Sequence, residues 1–502
     1  MTEIRTEADE PEADELPPPQ GVGALARDAF VYGATRVLLK SLAFLLVPLY
    51  AHFLSPSDFG VLELVLAAVA LVDVLITANM DGVLARFYFD RDEREWRRRV
   101  ISLYLVIETA YPALLVGGLI LFSSTVSDGV LGSSAYASFL VIALVDVYLS
   151  NVVDLPLILC RLRRKPFTFA AYSLARGVVQ VVLTVVFVAA LELGIKGILL
   201  ASLISVCVAF VLTLREYVYD LTRRVDWSVG REMIAFAWPG IVGGLAFYAL
   251  NLVDRFFVRH YHGTADTGLY GAAFRYSQVV LVAVLAFRLG WTQWHYSWLH
   301  TDRHPQMVAR GAAYYFFVTG FLAVLVSAWI LPVFHLIMPE RYWEATDAVA
   351  PLALAALATG AYTVFAVGFN VTKRMRRLPP LAVLAAATAV GLYLLLIPPY
   401  SFIGAAWATA GAFSFLALLV ALVGQRLYPV PWSWRRIGLA VGAAAGLAVA
   451  SLVVDASVPF RVSLPVRLGL TAAYPLLLLF LGFFPPDDLG RLRAGVRRLA
   501  PR

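Results

Sequence analysis

The sequence predicts an all-α polytopic membrane protein of about fourteen transmembrane helices, arranged as two six-helix bundles followed by two C-terminal helices. Three observations predict it. Of the 502 residues, 60% are hydrophobic. Long apolar runs recur from one end of the chain to the other. Lysine and arginine gather in every second interval between those runs. A soluble chain is about 45–50% apolar, and the excess here, with a mean hydropathy of +0.76, is too large to hide in one water-soluble core.

A spanning helix needs roughly 17–25 mostly apolar residues. Stretches of that kind lie near 29–53, 59–80, 100–122, 135–159, 167–190, 197–214, 233–258, 268–290, 308–335, 347–371, 380–397, 402–424, 437–454 and 466–484. The intervals after the even-numbered stretches carry the basic residues. Arg91 to Arg99, Arg161 to Lys165 and Lys373 to Arg377 are the densest, and 123–134 and 398–401 hold no Lys or Arg. By the positive-inside rule both termini are cytosolic, and the protein is a multi-pass component of the cytoplasmic (inner) cell membrane.

The domain layout expected from these spans is an acidic disordered cytosolic tail at 1–26, a first lobe at 27–220, a second at 221–430, two further helices at 431–486 and a basic cytosolic tail at 487–502. The N-terminal tail carries Glu3, Glu7, Asp9, Glu10, Glu12, Asp14 and Glu15, with no basic region leading into an apolar core as a signal peptide requires. The net charge of +7 does not imply a nucleic-acid partner, because the cations sit in short loops between apolar runs. Cys160 and Cys207 form no metal-ligand or disulfide pattern. No metal and no cofactor are expected.

The two halves align at an offset of about 208 residues. Leu54-Ser-Pro-Ser-Asp58-Phe-Gly60 lies over His262-Gly-Thr-Ala-Asp266-Thr-Gly268, and Gly194-Ile-Lys-Gly197 lies over Ser401-Phe-Ile-Gly404. Six helices per repeat place both halves in the same orientation, related by an axis along the membrane normal. In transporters of that plan substrate sits between the repeats.

The chain resembles the multidrug/oligosaccharidyl-lipid/polysaccharide (MOP) exporter superfamily, and within it the polysaccharide-transporter or oligosaccharide-flippase branch. The likeness is carried by Leu38-Leu-Lys40 through Pro48-Leu-Tyr50, Leu54-Ser-Pro56-Ser-Asp58-Phe-Gly60, Ala85-Arg86-Phe-Tyr88, Leu252-Val-Asp254-Arg255-Phe and Thr267-Gly268-Leu-Tyr270. The resemblance implies a V-shaped, two-lobed body like that of the MATE transporters, with two appended helices. It also implies movement of an undecaprenyl-pyrophosphate-linked oligosaccharide between leaflets by alternating access, for O-antigen, lipopolysaccharide or other surface-polysaccharide biosynthesis. The implied partners are the lipid-linked oligosaccharide, membrane lipid, H+ or Na+ as coupling ion, and polysaccharide-assembly proteins.

Charged side chains near the bilayer centre cost about 2.5–3.5 kcal/mol on insertion scales, so they face protein or water. Arg36 and Lys40 are four residues apart and share a helix face; Arg176 and Gln180 repeat that spacing, and Arg275 and Gln278 lie together on another helix. Arginine binds a diphosphate bidentately and lysine supplies a point charge. The candidate pyrophosphate- and glycan-binding set is therefore Arg36, Lys40, Arg86, Arg176, Gln180, Arg275 and Gln278. Arg86, like Arg288, Glu63 and Arg255, lies near a span end, where snorkelling is the alternative. Asp73, Asp154 and Asp254 are the candidate ion-coupling residues. Trp291 to Trp298 reads as an interfacial aromatic belt.

Two other functions are weighed against this one. A drug or metabolite cation antiporter of the same superfamily would favour an acidic cavity and twelve helices. A membrane polymerase or glycosyltransferase would need a sizeable outer loop, and none exists; Asp90-Arg91-Asp92 sits in a short Arg-rich loop. The chain is expected not to be an enzyme, and no catalytic residue is assigned.

Overall fold

The computed structural model describes residues 22–77, 80–218, 221–222, 226–457 and 460–485. The acidic segment 1–21 and the basic tail 487–502 lie outside the described residues.

The first half of the chain runs α1 (Val22–Phe53), α2 (Pro56–Thr77), α3 (Met80–Tyr88), α4 (Arg94–Leu121), the short α5 (Ser123–Leu131), α6 (Ala137–Leu162), α7 (Pro166–Val185) and α8 (Gly194–Val218). The second half runs α9 (Trp227–Leu252), α10 (Asp254–His262), α11 (Thr264–Ser297), α12 (His304–Ile337), α13 (Thr346–Phe365), α14 (Val367–Val371) and α15 (Leu378–Leu427). Then come α16 (Trp434–Ser457) and α17 (Phe460–Phe480). No strand occurs among the described residues. Among them, 13 helices are long and apolar enough to cross a membrane. One of these, Met375–Leu427, is 53 residues long and breaks at Ser401, whose φ of 49° is left-handed. Broken there, it is long enough for two crossings, which makes fourteen among the described residues.

Local chemistry sets the element ends. At the start of α2, the Ser55 backbone N–H donates to Asp58 Oδ2 (3.2 Å) and the Asp58 N–H donates to Ser55 Oγ (3.1 Å). This reciprocal pair satisfies two orphan donors as in a capping box, with Pro56 at the first helical position, where its missing N–H is harmless. The break in α15 follows Pro398 and Pro399, and the Ser401 hydroxyl donates to Asp266. Its repeat counterpart Gly194 also has a left-handed φ, 55°.

The halves meet along α2 and α11. A Cβ on Gly60 would lie 1.8 Å from the Thr264 carbonyl oxygen, and one on Gly268 would lie 1.9 Å from the Pro56 carbonyl oxygen. These two contacts exchange under the 208-residue offset, so the helices cross backbone to backbone at equivalent points. Ser57 Oγ and Thr264 Oγ1 are hydrogen-bonded at 2.6 Å. Arg341 donates to the carbonyls of Ala51 and His52, each at 2.8 Å, and Tyr342 to that of Leu54 at 3.1 Å. The bundle is thus shut at the end that carries the α1–α2 turn, here the turn face. The opposite end, carrying the loops at 89–93, 163–165, 298–303 and 372–377, is the basic face. The appended helices pack on α12, where Arg467 of α17 donates to the Ala328 carbonyl (2.6 Å) and pairs with Asp455 of α16.

Candidate functional site

Beneath the closed turn face lies a buried charge network between the halves. Glu63 of α2, 5% exposed, accepts Arg275 Nε and Nη2 of α11 on Oε1 (2.8 and 2.6 Å) and Arg255 Nε of α10 on Oε2 (3.1 Å). Arg255, 2% exposed, also pairs with Asp254 Oδ1 (3.1 Å) and donates to the Asn251 carbonyl (2.8 Å). Asp254 is held by the Tyr270 hydroxyl (2.5 Å) and more loosely by that of Thr409 (3.3 Å). The Arg255 guanidinium lies 4.4 Å from the Phe274 ring centroid. Gly271 makes room: a Cβ there would meet the Glu63 side chain at 2.4 Å. Buried ions survive only when their partners and remaining hydrogen bonds are complete, and here they are.

Next to this network, a cleft of about 460 Å³ opens between α1 and α11. Lys40, Arg275 and Gln278 supply its cationic and amide groups, and Phe44, Leu45, Val47, Val279 and Val282 its apolar wall. Arg275 lies at the junction: its head is tied to Glu63, yet it borders the cleft.

The opposite side of α1 borders a second cavity of about 410 Å³. Leu39, Leu42, Leu46 and Tyr50 form the α1 wall, with Asp146 of α6, Arg176 and Gln180 of α7, Ser202 of α8 and again Arg275 around it. Arg176 Nη2 donates to Ser150 Oγ at 2.9 Å.

Towards the basic face, charges of both signs come from five helices. Arg36 of α1 is exposed and interacts electrostatically with Asp81 of α3, Arg161 and Asp154 of α6, and Arg288 of α11. Asp73 of α2 and Asp154 feel Asp81 in the same way. Arg161 and Asp81 form a half-exposed ion pair at 3.2 Å. Helices from both halves thus bring charges within electrostatic reach of one another.

Residues 25–288 match the polysaccharide biosynthesis protein family. The chain belongs to that family. The fold is that of MOP-superfamily transporters. The lipid II flippase MurJ in an inward closed conformation superposes with a TM-score of 0.71 at 12% identity, covering 90% of this chain and 99% of that one. An inward-facing multidrug-resistance MATE transporter of the MOP superfamily gives 0.64 at 13% identity, covering 80% and 97%. A curated relative, an uncharacterized membrane protein of Haemophilus influenzae, is 25% identical over 272 residues. That alignment takes in 52% of this chain and 63% of the relative's length.

In this polysaccharide biosynthesis protein the residues expected from sequence do not share one chamber. Lys40, Arg275 and Gln278 line the cleft between the halves, whereas Arg176 and Gln180 line the cavity behind α1. Arg36 belongs to the basic-face group. Arg86 sits at the end of α3, ion-paired with Asp90 at 2.8 Å, and lines neither cavity. Asp73 and Asp154 stand with the basic-face charges, while Asp254 is enclosed in the network under the turn face.

Two readings are corrected. Glu63 and Arg255 do not snorkel; they are buried against each other across the two halves. Trp291 is no interfacial belt residue. It is buried and stacked between Phe287 and Trp294, with ring centroids 5.0 and 5.5 Å away. Gly311 makes space for both indoles. Arg161, read as a loop charge, pairs with Asp81, and both act electrostatically on Arg36.

Proposed function

We propose that this protein is a flippase that carries a polyprenyl-pyrophosphate-linked oligosaccharide, of the undecaprenyl type, across the cytoplasmic membrane for surface-polysaccharide assembly. The observation that carries the reading is the cleft between α1 and α11, where Lys40, Arg275 and Gln278 meet an apolar wall. An anionic head on an apolar tail needs both surfaces side by side. A pyrophosphate bared to hydrocarbon is prohibitively unfavourable, and charge-assisted hydrogen bonds from guanidinium and ammonium groups replace its water.

In this account the basic face is cytoplasmic, as the positive-inside rule requires, and both termini are cytosolic. The head group enters past Arg36 and Arg288 and settles against Lys40 and Arg275. Rocking of the lobes at 27–220 and 221–430 opens the turn face, with 431–486 carried along by the second lobe. Asp73, Asp154 and Asp254 are the coupling candidates, with H+ or Na+ as the ion. Transport rather than catalysis is the proposed activity.

The test is deletion of the protein in its own cell, followed by leaflet-resolved analysis of lipid-linked glycans. Accumulation on the cytoplasmic leaflet is the expected result. An unchanged distribution with altered efflux of cationic drugs would replace this reading with the antiporter one.

A further inference from the structure

We propose that Glu108 is a proton-carrying site of the first half, formed where α4 meets α2, α3 and α6. The proposal rests on the transport reading only for what the proton drives.

Glu108 lies midway along α4 and is 2% exposed. Its Oε2 has no hydrogen-bond partner. The Asn151 side-chain amide of α6 donates to the Glu108 backbone carbonyl at 3.0 Å, which locks the two helices at this level. Beside the Asn151 amide, the charges that act most on the carboxyl are of its own sign: Asp81 of α3, Asp154 of α6 and Asp73 of α2. On its own helix, one turn away, the Tyr104 hydroxyl points to Asp81 Oδ1 at a long 3.5 Å. Arg161, on α6, is taken up by Asp81. From α9, packed against α4 through Met233 and Ala237, the charges Arg231 and Glu232 are exposed, as is Asp128 of α5.

An ionised carboxylate in this place has no counter-charge, and burying one alone is strongly unfavourable. Neighbouring carboxylates make it worse. A metal ion is not the remedy, since among the described residues no three His, Cys, Asp or Glu side chains gather closely enough to hold one. A proton on Oε2 removes the charge without moving a helix. The proposed way out runs from Glu108 by the neighbouring carboxylates of Asp154 and Asp81 to water, since Asp81 is itself exposed. The O–H bonding pair stays on Glu108, which then needs a cation. Rearrangement that frees Arg161 from Asp81 supplies one, and so ties proton release to the geometry of the basic face.

The experiment uses the full-length protein in liposomes. Infrared spectra recorded in H2O and D2O are expected to show a protonated-carboxyl C=O band that is absent in Glu108→Gln and present, shifted, in Glu108→Asp. Retention of every such band in Glu108→Gln overturns the site. With an imposed pH gradient, wild-type transfer of a fluorescent polyprenyl-pyrophosphate oligosaccharide is expected to rise at least tenfold, and that of Glu108→Gln to ignore the gradient. Wild-type transfer that answers only a sodium gradient overturns the coupling role. If wild type moves no lipid at all, the flippase reading fails, and the infrared band alone still decides whether Glu108 holds a proton.

Discussion

Charge is handled in opposite ways at the two ends of the gap between the halves. Under the turn face, Glu63, Arg255 and Asp254 are buried and, with the partly buried Arg275, mutually paired and hydrogen-bonded. Towards the basic face, Arg36 feels the charges of Asp81, Arg161 and Arg288, and among these four the close pair is Arg161 with Asp81. The first arrangement holds two helix bundles together. The second leaves cations with hydrogen-bonding capacity to spare, as recognition of an anion requires. A transporter open at one end and sealed at the other needs both, and Arg275 belongs to both: bound to Glu63, it also borders the cleft.

The largest break in this contrast comes from removing the acid of the sealed end. Glu63→Gln takes the shared counter-charge from the buried Arg255 and the partly buried Arg275, and breaking a buried pair such as Glu63–Arg255 costs about 3–5 kcal/mol. Thermal unfolding of the purified protein is expected to show that loss, or a collapse of folded yield. A midpoint equal to wild type would mean that the network is not what holds the halves.

The next effect is on activity rather than stability. Arg36→Ala and Lys40→Ala each remove a charge-assisted contact of about 1.5–3 kcal/mol, and every 1.4 kcal/mol is about tenfold. Each is expected to slow glycolipid transfer at least about tenfold. Unfolding should stay within about 0.5 kcal/mol, as for substitutions away from packed features. Equal transfer by the double variant would take both residues out of the substrate path.

A smaller change is expected at the helix crossing. Gly60→Ala forces a methyl group against the Thr264 carbonyl, and overpacking of this kind costs about 1–3 kcal/mol. Disulfide formation between Ser57→Cys and Thr264→Cys should fall when Gly60→Ala is added, because α2 and α11 must move apart. The smallest effect belongs to Arg86→Ala. Its i,i+4 pair with Asp90 is exposed and worth about 0.3–0.5 kcal/mol, so both transfer and stability should remain near wild type.

The spans were legible because hydrocarbon thickness fixes their length and loop charge fixes their alternation. Even the break in the 50-residue α15 was visible as two apolar stretches flanking Pro398 and Pro399. Spacing also placed Arg36 and Lys40 together, since four residues is one helical turn. What periodicity does not encode is which helices become neighbours. The partners of Glu63 lie 192 and 212 residues away, so Glu63 and Arg255 looked like span-end charges. Arg176 and Lys40 looked alike as intramembrane cations. The opposite faces of α1 separate them: Leu39 and Leu42 border one cavity, Ser41 and Phe44 the other. In the sequence Glu108 is one acid within an apolar stretch, and only burial and the missing partner set it apart.

The most direct test of the central claim uses purified protein in liposomes loaded with a fluorescent polyprenyl-pyrophosphate oligosaccharide, with transfer between leaflets read by membrane-impermeant quenching. Wild type is expected to expose the glycan on the far leaflet, and a Lys40→Ala, Gln278→Ala pair of substitutions in the cleft to slow that at least about tenfold. Transfer at the same rate with the cleft so altered, or none above protein-free liposomes with wild type, would contradict the account.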